Sequence, residues 1–121
     1  MKRRVLAAVD DIFFASKIRA AAEASGVEYD SARTVESAAA KARSDPPSLV
    51  VADLHGLRCD PFALAETFKA DAALRAVPLL GFFSHVQTEL RDRALAAGFD
   101  RVLARSTFSS QLANILGELP D

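Results

Sequence analysis

The chain has a single cysteine, Cys59, which excludes an internal disulfide and any metal site built from several thiolates. It also lacks an excess of either charge. With 15 basic side chains against 16 acidic ones, no net field draws nucleic acid or anionic lipid, and the only basic cluster is Lys2, Arg3 and Arg4 at the start. No apolar run approaches the length of a membrane span, and the first such run is broken by Asp10 and Asp11 before it could act as a secretory signal. Repeats, low-complexity tracts and linkers are missing too. These absences predict a soluble, cytoplasmic protein with neither a nucleic-acid nor a membrane partner. What is there is 121 residues, half of them apolar, enough for an ordinary core without staples. The expectation is one domain over residues 1–121 with no output unit.

The stretch Ser48 to Pro61 (SLVVADLHGLRCDP) organises the rest. Leu49, Val50, Val51 and Ala52 form a run too short for a buried helix and β-branched enough for a strand covered on both faces. Asp53 ends it. A loop containing Gly56 follows, then a helix start at Asp60-Pro61. In open α/β sheets this is where ligands bind, so Asp53 either caps its loop or carries chemistry.

Further strands are predicted at Val5 to Val9, Val27 to Ala32, Val77 to Phe83 and Asp100 to Ala104. Each is followed by apolar residues at helical spacing: Phe14, Ile18 and Ala22; then Val35, Ala38, Ala39 and Ala42; then Leu90, Ala94 and Ala97; and last Phe108, Leu112, Ile115, Leu116 and Leu119. Phe62, Leu64, Ala65 and Phe68 play that part after the central strand. Thr34 is a natural N-cap, and Gly26 and Gly98 stand where helices stop. The strand from Val27 is of mixed character and suits an edge.

Five strands each followed by a helix imply an α/β fold: a parallel sheet between two helical layers, because right-handed crossovers put helices on its faces. Every strand then ends on the same edge, which gathers Asp10, Asp11, Asp53, Ser84 and Arg105. Three carboxylates facing one cation repel each other unless a second cation sits among them. Mg²⁺ suits such a place, since it binds oxygen and commonly uses one or two carboxylates plus a phosphate.

The segments VLAAVDD at Val5 to Asp11, LVVADLHG at Leu49 to Gly56 and AGFDRVLAR at Ala97 to Arg105 resemble, in order and separation, the receiver domains of two-component response regulators. The resemblance covers essentially the whole chain. It implies a flavodoxin-like (βα)5 fold with strand order 2-1-3-4-5. It also implies Asp53 as phospho-acceptor, Asp11 as a direct Mg²⁺ ligand, Asp10 as a ligand through water, and the His55 backbone carbonyl as a third protein ligand. Arg105 would pair with phosphate or carboxylate in place of the family's lysine. The implied partners are a sensor histidine kinase or phosphotransfer protein and a downstream protein.

Departures from the family pattern are as specific as the match. Its hydroxyl at the end of the fourth strand aligns with Phe83, and Ser84, the candidate surrogate, stands one place later, on the opposite face if the strand is regular. Its switch aromatic aligns with Val102, and its cis-proline with Ser106, where a cis bond is not expected. Two readings follow: a phospho-accepting receiver with no enzymatic activity of its own, or a phosphorylation-independent receiver-like module that binds a protein. An aspartate-based phosphatase is set aside, because the acids Asp10 and Asp11 are adjacent and no cap domain fits. Phe13 lies off the apolar stripe of its helix and is expected to be exposed beside the acidic pair. His55 and His85 are too scattered for a histidine-rich metal site, and Cys59 reads as a small, partly buried side chain.

Overall fold

The computed structural model describes residues 3–84 and 88–120. Lys2 and His85 lie outside the described residues. Strands and helices alternate throughout: β1 (Arg4–Ala8), α1 (Ile12–Ala24), β2 (Glu28–Ser31), α2 (Val35–Ser44), β3 (Leu49–Asp53), α3 (Pro61–Ala70), β4 (Leu79–Phe83), α4 (Thr88–Ala97), β5 (Arg101–Ala104) and α5 (Arg105–Gly117). The five strands form one parallel sheet in the order 2-1-3-4-5. This is the flavodoxin-like arrangement expected from the sequence, and β2 is indeed an edge strand.

Alternation of side chains along the strands divides the core in two. On one face Leu6, Val50 and Leu79 meet Ala38, Leu64, Phe68 and Ala94 of α2, α3 and α4. On the other Val5, Val51 and Leu80 meet Phe14, Ile18, Phe108 and Leu116 of α1 and α5. Burial on both sides explains why the central strands read as continuous apolar runs.

The helix starts are set by side-chain oxygens. Asp11, Thr34 and Asp60 each accept from N–H groups in the first turn of α1, α2 and α3, and Pro61 stands at the first position of α3, where no donor is needed. β4 begins at Leu79, two residues later than its apolar run, because Pro78 has no N–H to give the ladder, although its carbonyl accepts from Val50. β1 begins earlier than its apolar run, at Arg4. Arg4 is buried, with its guanidinium 2.6 Å from Asp30 Oδ2 and 3.6 Å from Asp45 Oδ2. Arg3 donates to the carbonyls of Ser25 and Gly117. These two arginines of the basic cluster thus tie chain segments together. Among the described residues no helix is long and apolar enough to cross a membrane.

Candidate functional site

β1 and β3 are neighbours, with Ala8 opposite Ala52, so the acids that follow them leave the sheet side by side. Asp11 works in two directions. Its Oδ1 accepts from the N–H groups of Phe13 and Phe14 at 2.9 and 3.2 Å, starting α1, while its Oδ2 accepts from Arg105 Nη2 at 2.8 Å. The Arg105 hydrogen bond, and after it the Phe14 N–H, hold the Asp11 carboxyl below the usual carboxylate value. Arg105 opens α5 directly after β5. Its guanidinium carbon lies 4.4 Å from the centre of the Phe14 ring, a cation–π contact. Phe14 is itself buried against Phe82 and Phe108, at centroid distances of 4.7 and 5.7 Å. The cation is therefore held between a carboxylate and a fixed ring.

Asp10 is exposed and points to the β3–α3 loop, where its Oδ2 accepts from the N–H groups of Leu57 and Arg58 at 2.9 and 3.1 Å. Asp53, half-buried, accepts on Oδ1 from His55 N–H at 2.9 Å. Its Oδ2 has no hydrogen-bond partner among the described residues. The turn behind it is tight: Gly56 N–H donates to the Asp53 carbonyl, and a Cβ on Gly56 would lie 3.0 Å from the carbonyl oxygens of both Asp53 and Cys59. Only glycine fits there without displacing backbone.

β4 ends on an apolar side chain. Phe83 is 3% exposed, in a cluster that includes Leu54, Phe99 and the half-buried Val102. Gly81 makes the room, since a Cβ there would come within 2.7 Å of Leu54 Cδ2 and 3.2 Å of Phe99 Cδ1. Ser84 is exposed and makes no hydrogen bond among the described residues. Every peptide bond described is trans, Arg105–Ser106 included.

Of the residues singled out from the sequence, Asp11 and Arg105 are thus joined directly. Asp10 and Asp53 frame the same β3–α3 loop, and Ser84 is bonded to none of them. Oxygen is the only donor type these acids and the His55 carbonyl offer, which suits a hard divalent cation. With Asp10 turned onto two amides and Asp11 onto Arg105, no group of three or more His, Cys, Asp or Glu among the described residues is close enough to hold a metal. Sequence reasoning did not anticipate the Asp11–Arg105–Phe14 stack: Phe14 carried only the signal of a core residue. It also missed Ile12 and Leu57, which are 71% and 91% exposed and join Phe13, at 85%, around the acids. Cys59 is buried, and burial first, then the charges of Asp10, Asp60 and Glu36, push its thiol up to about 11, which leaves it inert.

No family model and no curated protein matches the sequence. Solved structures do match by shape. The chemotaxis response regulator CheY4 of Vibrio cholerae superimposes with a TM-score of 0.85 at 18% identity, covering 99% of this chain and 100% of that one. A response regulator from Chloroflexus aurantiacus, described as putative, gives 0.84 at 19%, with 98% and 100% covered. The receiver domain of the sensor histidine kinase PA1611 of Pseudomonas aeruginosa, with magnesium coordinated in its active-site cleft, gives 0.83 at 18%, with 98% of each chain covered. At these identities the likeness establishes the fold.

Proposed function

We propose that this domain is a receiver that takes a phosphoryl group on Asp53 in two-component signalling and passes the signal through protein contacts. The observation that carries the reading is the side-by-side exit of Asp10, Asp11 and Asp53 from neighbouring strands, with Arg105, which follows the edge strand β5, paired to Asp11. His55 N–H fixes Asp53 Oδ1 and so orients the carboxylate, leaving Oδ2 as the nucleophile. An O–P bond forms at Oδ2 as the donor's bond to phosphorus breaks, and the donor's leaving group takes the electron pair. Once Asp10 and Asp11 turn from their present partners, they, Asp53 and the His55 carbonyl would hold Mg²⁺, which would supply charge neutralisation for the incoming phosphoryl oxygens. Arg105, freed from Asp11, would then be available to pair with the phosphoryl group. Ile12, Phe13 and Leu57 give the donor, a histidine kinase or phosphotransfer protein, an apolar rim to dock on.

Incubation with a small acyl phosphate and Mg²⁺ should add one phosphoryl group, read as a mass increase that Asp53→Asn abolishes. Absence of label in both the parent and Phe83→Thr would overturn the reading. In its place would stand a second one, favoured by the burial of Phe83 where a hydroxyl is needed and by the isolation of Ser84: a phosphorylation-independent module that binds a protein partner.

A further inference from the structure

Beside the acids, and not including Asp53, a cleft of about 800 Å³ opens between α1, the end of β2 and the β3–α3 loop. Its basic groups come from three separate elements: Arg19 of α1, Arg33 after β2, and Arg58 in the loop before α3. Arg33 and Arg58 are exposed and form no ion pair among the described residues, and Arg19 pairs only with Glu23 one turn along its own exposed helix face. An exposed pair of that kind yields readily to a better anion. The one carboxylate on the lining, Asp10, already accepts two amide hydrogens on Oδ2. The cleft therefore carries surplus positive charge although the chain as a whole has a net charge of −1.

Apolar surface lies within the same lining. Ile12, 71% exposed, and the half-buried Tyr29 contribute to it, with the hydroxyl-bearing Ser16 and Ser31 alongside. From this we infer that the cleft is a binding site for a nucleotide carrying two or more phosphates. Guanidinium groups from three elements match phosphates spaced along a chain, since each planar fork can grip oxygens bidentately. A lone phosphate would leave Ile12 bare. A planar base covers it and lies along Tyr29, while the ribose meets the serine hydroxyls. The site is separate from phosphoryl acceptance at Asp53, and Asp10 is the only acid it shares with that chemistry.

The test is titration of the whole chain with ATP and GTP in EDTA-containing buffer, so that no divalent metal bridges nucleotide to the acids. Backbone amide signals of Ser16, Tyr29, Ser31, Arg33 and Arg58 should shift and saturate with at least one of them. Arg33→Ala and Arg58→Ala should each weaken binding roughly tenfold, the worth of one hydrogen-bonded charge. Asp53→Asn should bind as the parent does, so loss of phosphorylation and loss of this site are told apart. Inorganic pyrophosphate should bind at least about tenfold more weakly, for want of the base. Equal binding of pyrophosphate, undiminished binding by both arginine variants, or no saturable shift with millimolar nucleotide would overturn the assignment.

Discussion

The carboxyl edge of the sheet has two unlike halves. At the ends of β1 and β3 the three acids each have a defined partner: Asp11 with Arg105 and the α1 amides, Asp10 with the Leu57 and Arg58 amides, Asp53 with the His55 amide. At the end of β4 the filling is Phe83, in one apolar cluster with Leu54, Phe99 and Val102, and Gly81 leaves the space that Leu54 and Phe99 take. A polar half held by hydrogen bonds can exchange partners at small cost, because a new anion or cation replaces each lost bond. In the apolar half a shift of any one buried side chain loses packing contacts, and no new bond replaces them. On the polar half the Asp11–Arg105 pair sits against Phe14, which packs on Phe82 of β4 and Phe108 of α5. Phe82 and Phe108 stack on each other at 5.3 Å and 4°, joining β4 to α5.

The largest expected effect comes from breaking the apolar half. Phe83→Ala should cost about 3–5 kcal/mol in urea unfolding, from lost burial plus the cavity left behind, and a cost below about 1 kcal/mol would show that this half is loosely filled. Next is Phe83→Thr, which puts a hydroxyl at the end of β4, the strand paired with the one that carries Asp53. It should label Asp53 roughly tenfold faster, as one extra hydrogen bond to a charged group allows, and an unchanged rate would place that face of β4 out of reach of the phosphoryl group.

On the polar half, Arg105→Gln removes the cation that competes for Asp11. Mg²⁺ affinity, followed by amide shifts, should rise about two- to fivefold, the modest worth of a partly exposed pair; a fall would mean that Arg105 helps assemble the metal site. The same variant bears on pH. Because the folded Asp11 titrates below its ordinary 3.8, its pairing stabilises the fold above that value, and the contribution is lost as pH falls through the lower, folded value. Arg105→Gln should move the Asp11 titration, read by carboxyl carbon shifts, back up toward 3.8. The smallest effect is expected from Ser84→Ala: stability within about 0.5 kcal/mol of the parent and an unaltered labelling rate. Slower labelling would show that the Ser84 hydroxyl reaches the phosphoryl group.

Much of this molecule is written locally. The runs around Val51 and Leu80, the caps at Thr34 and Asp60 and the Pro61 helix start are each legible from a few neighbouring residues, because hydrogen-bond geometry and hydrophobic period act over one turn or one strand. From these the doubly wound architecture and the edge that collects Asp10, Asp11, Asp53 and Arg105 follow by chain connectivity alone. Tertiary structure alone decided who partners whom on that edge. Arg105 lies 94 residues from Asp11, and its choice of Asp11 depends on the ring of Phe14 being held by Phe82 and Phe108. The burial of Arg4 depends likewise on carboxylates at Asp30 and Asp45, brought in by β2 and α2. Charge pairing of this kind is set by distances of a few ångströms between groups far apart in the chain, and sequence spacing carries no record of them.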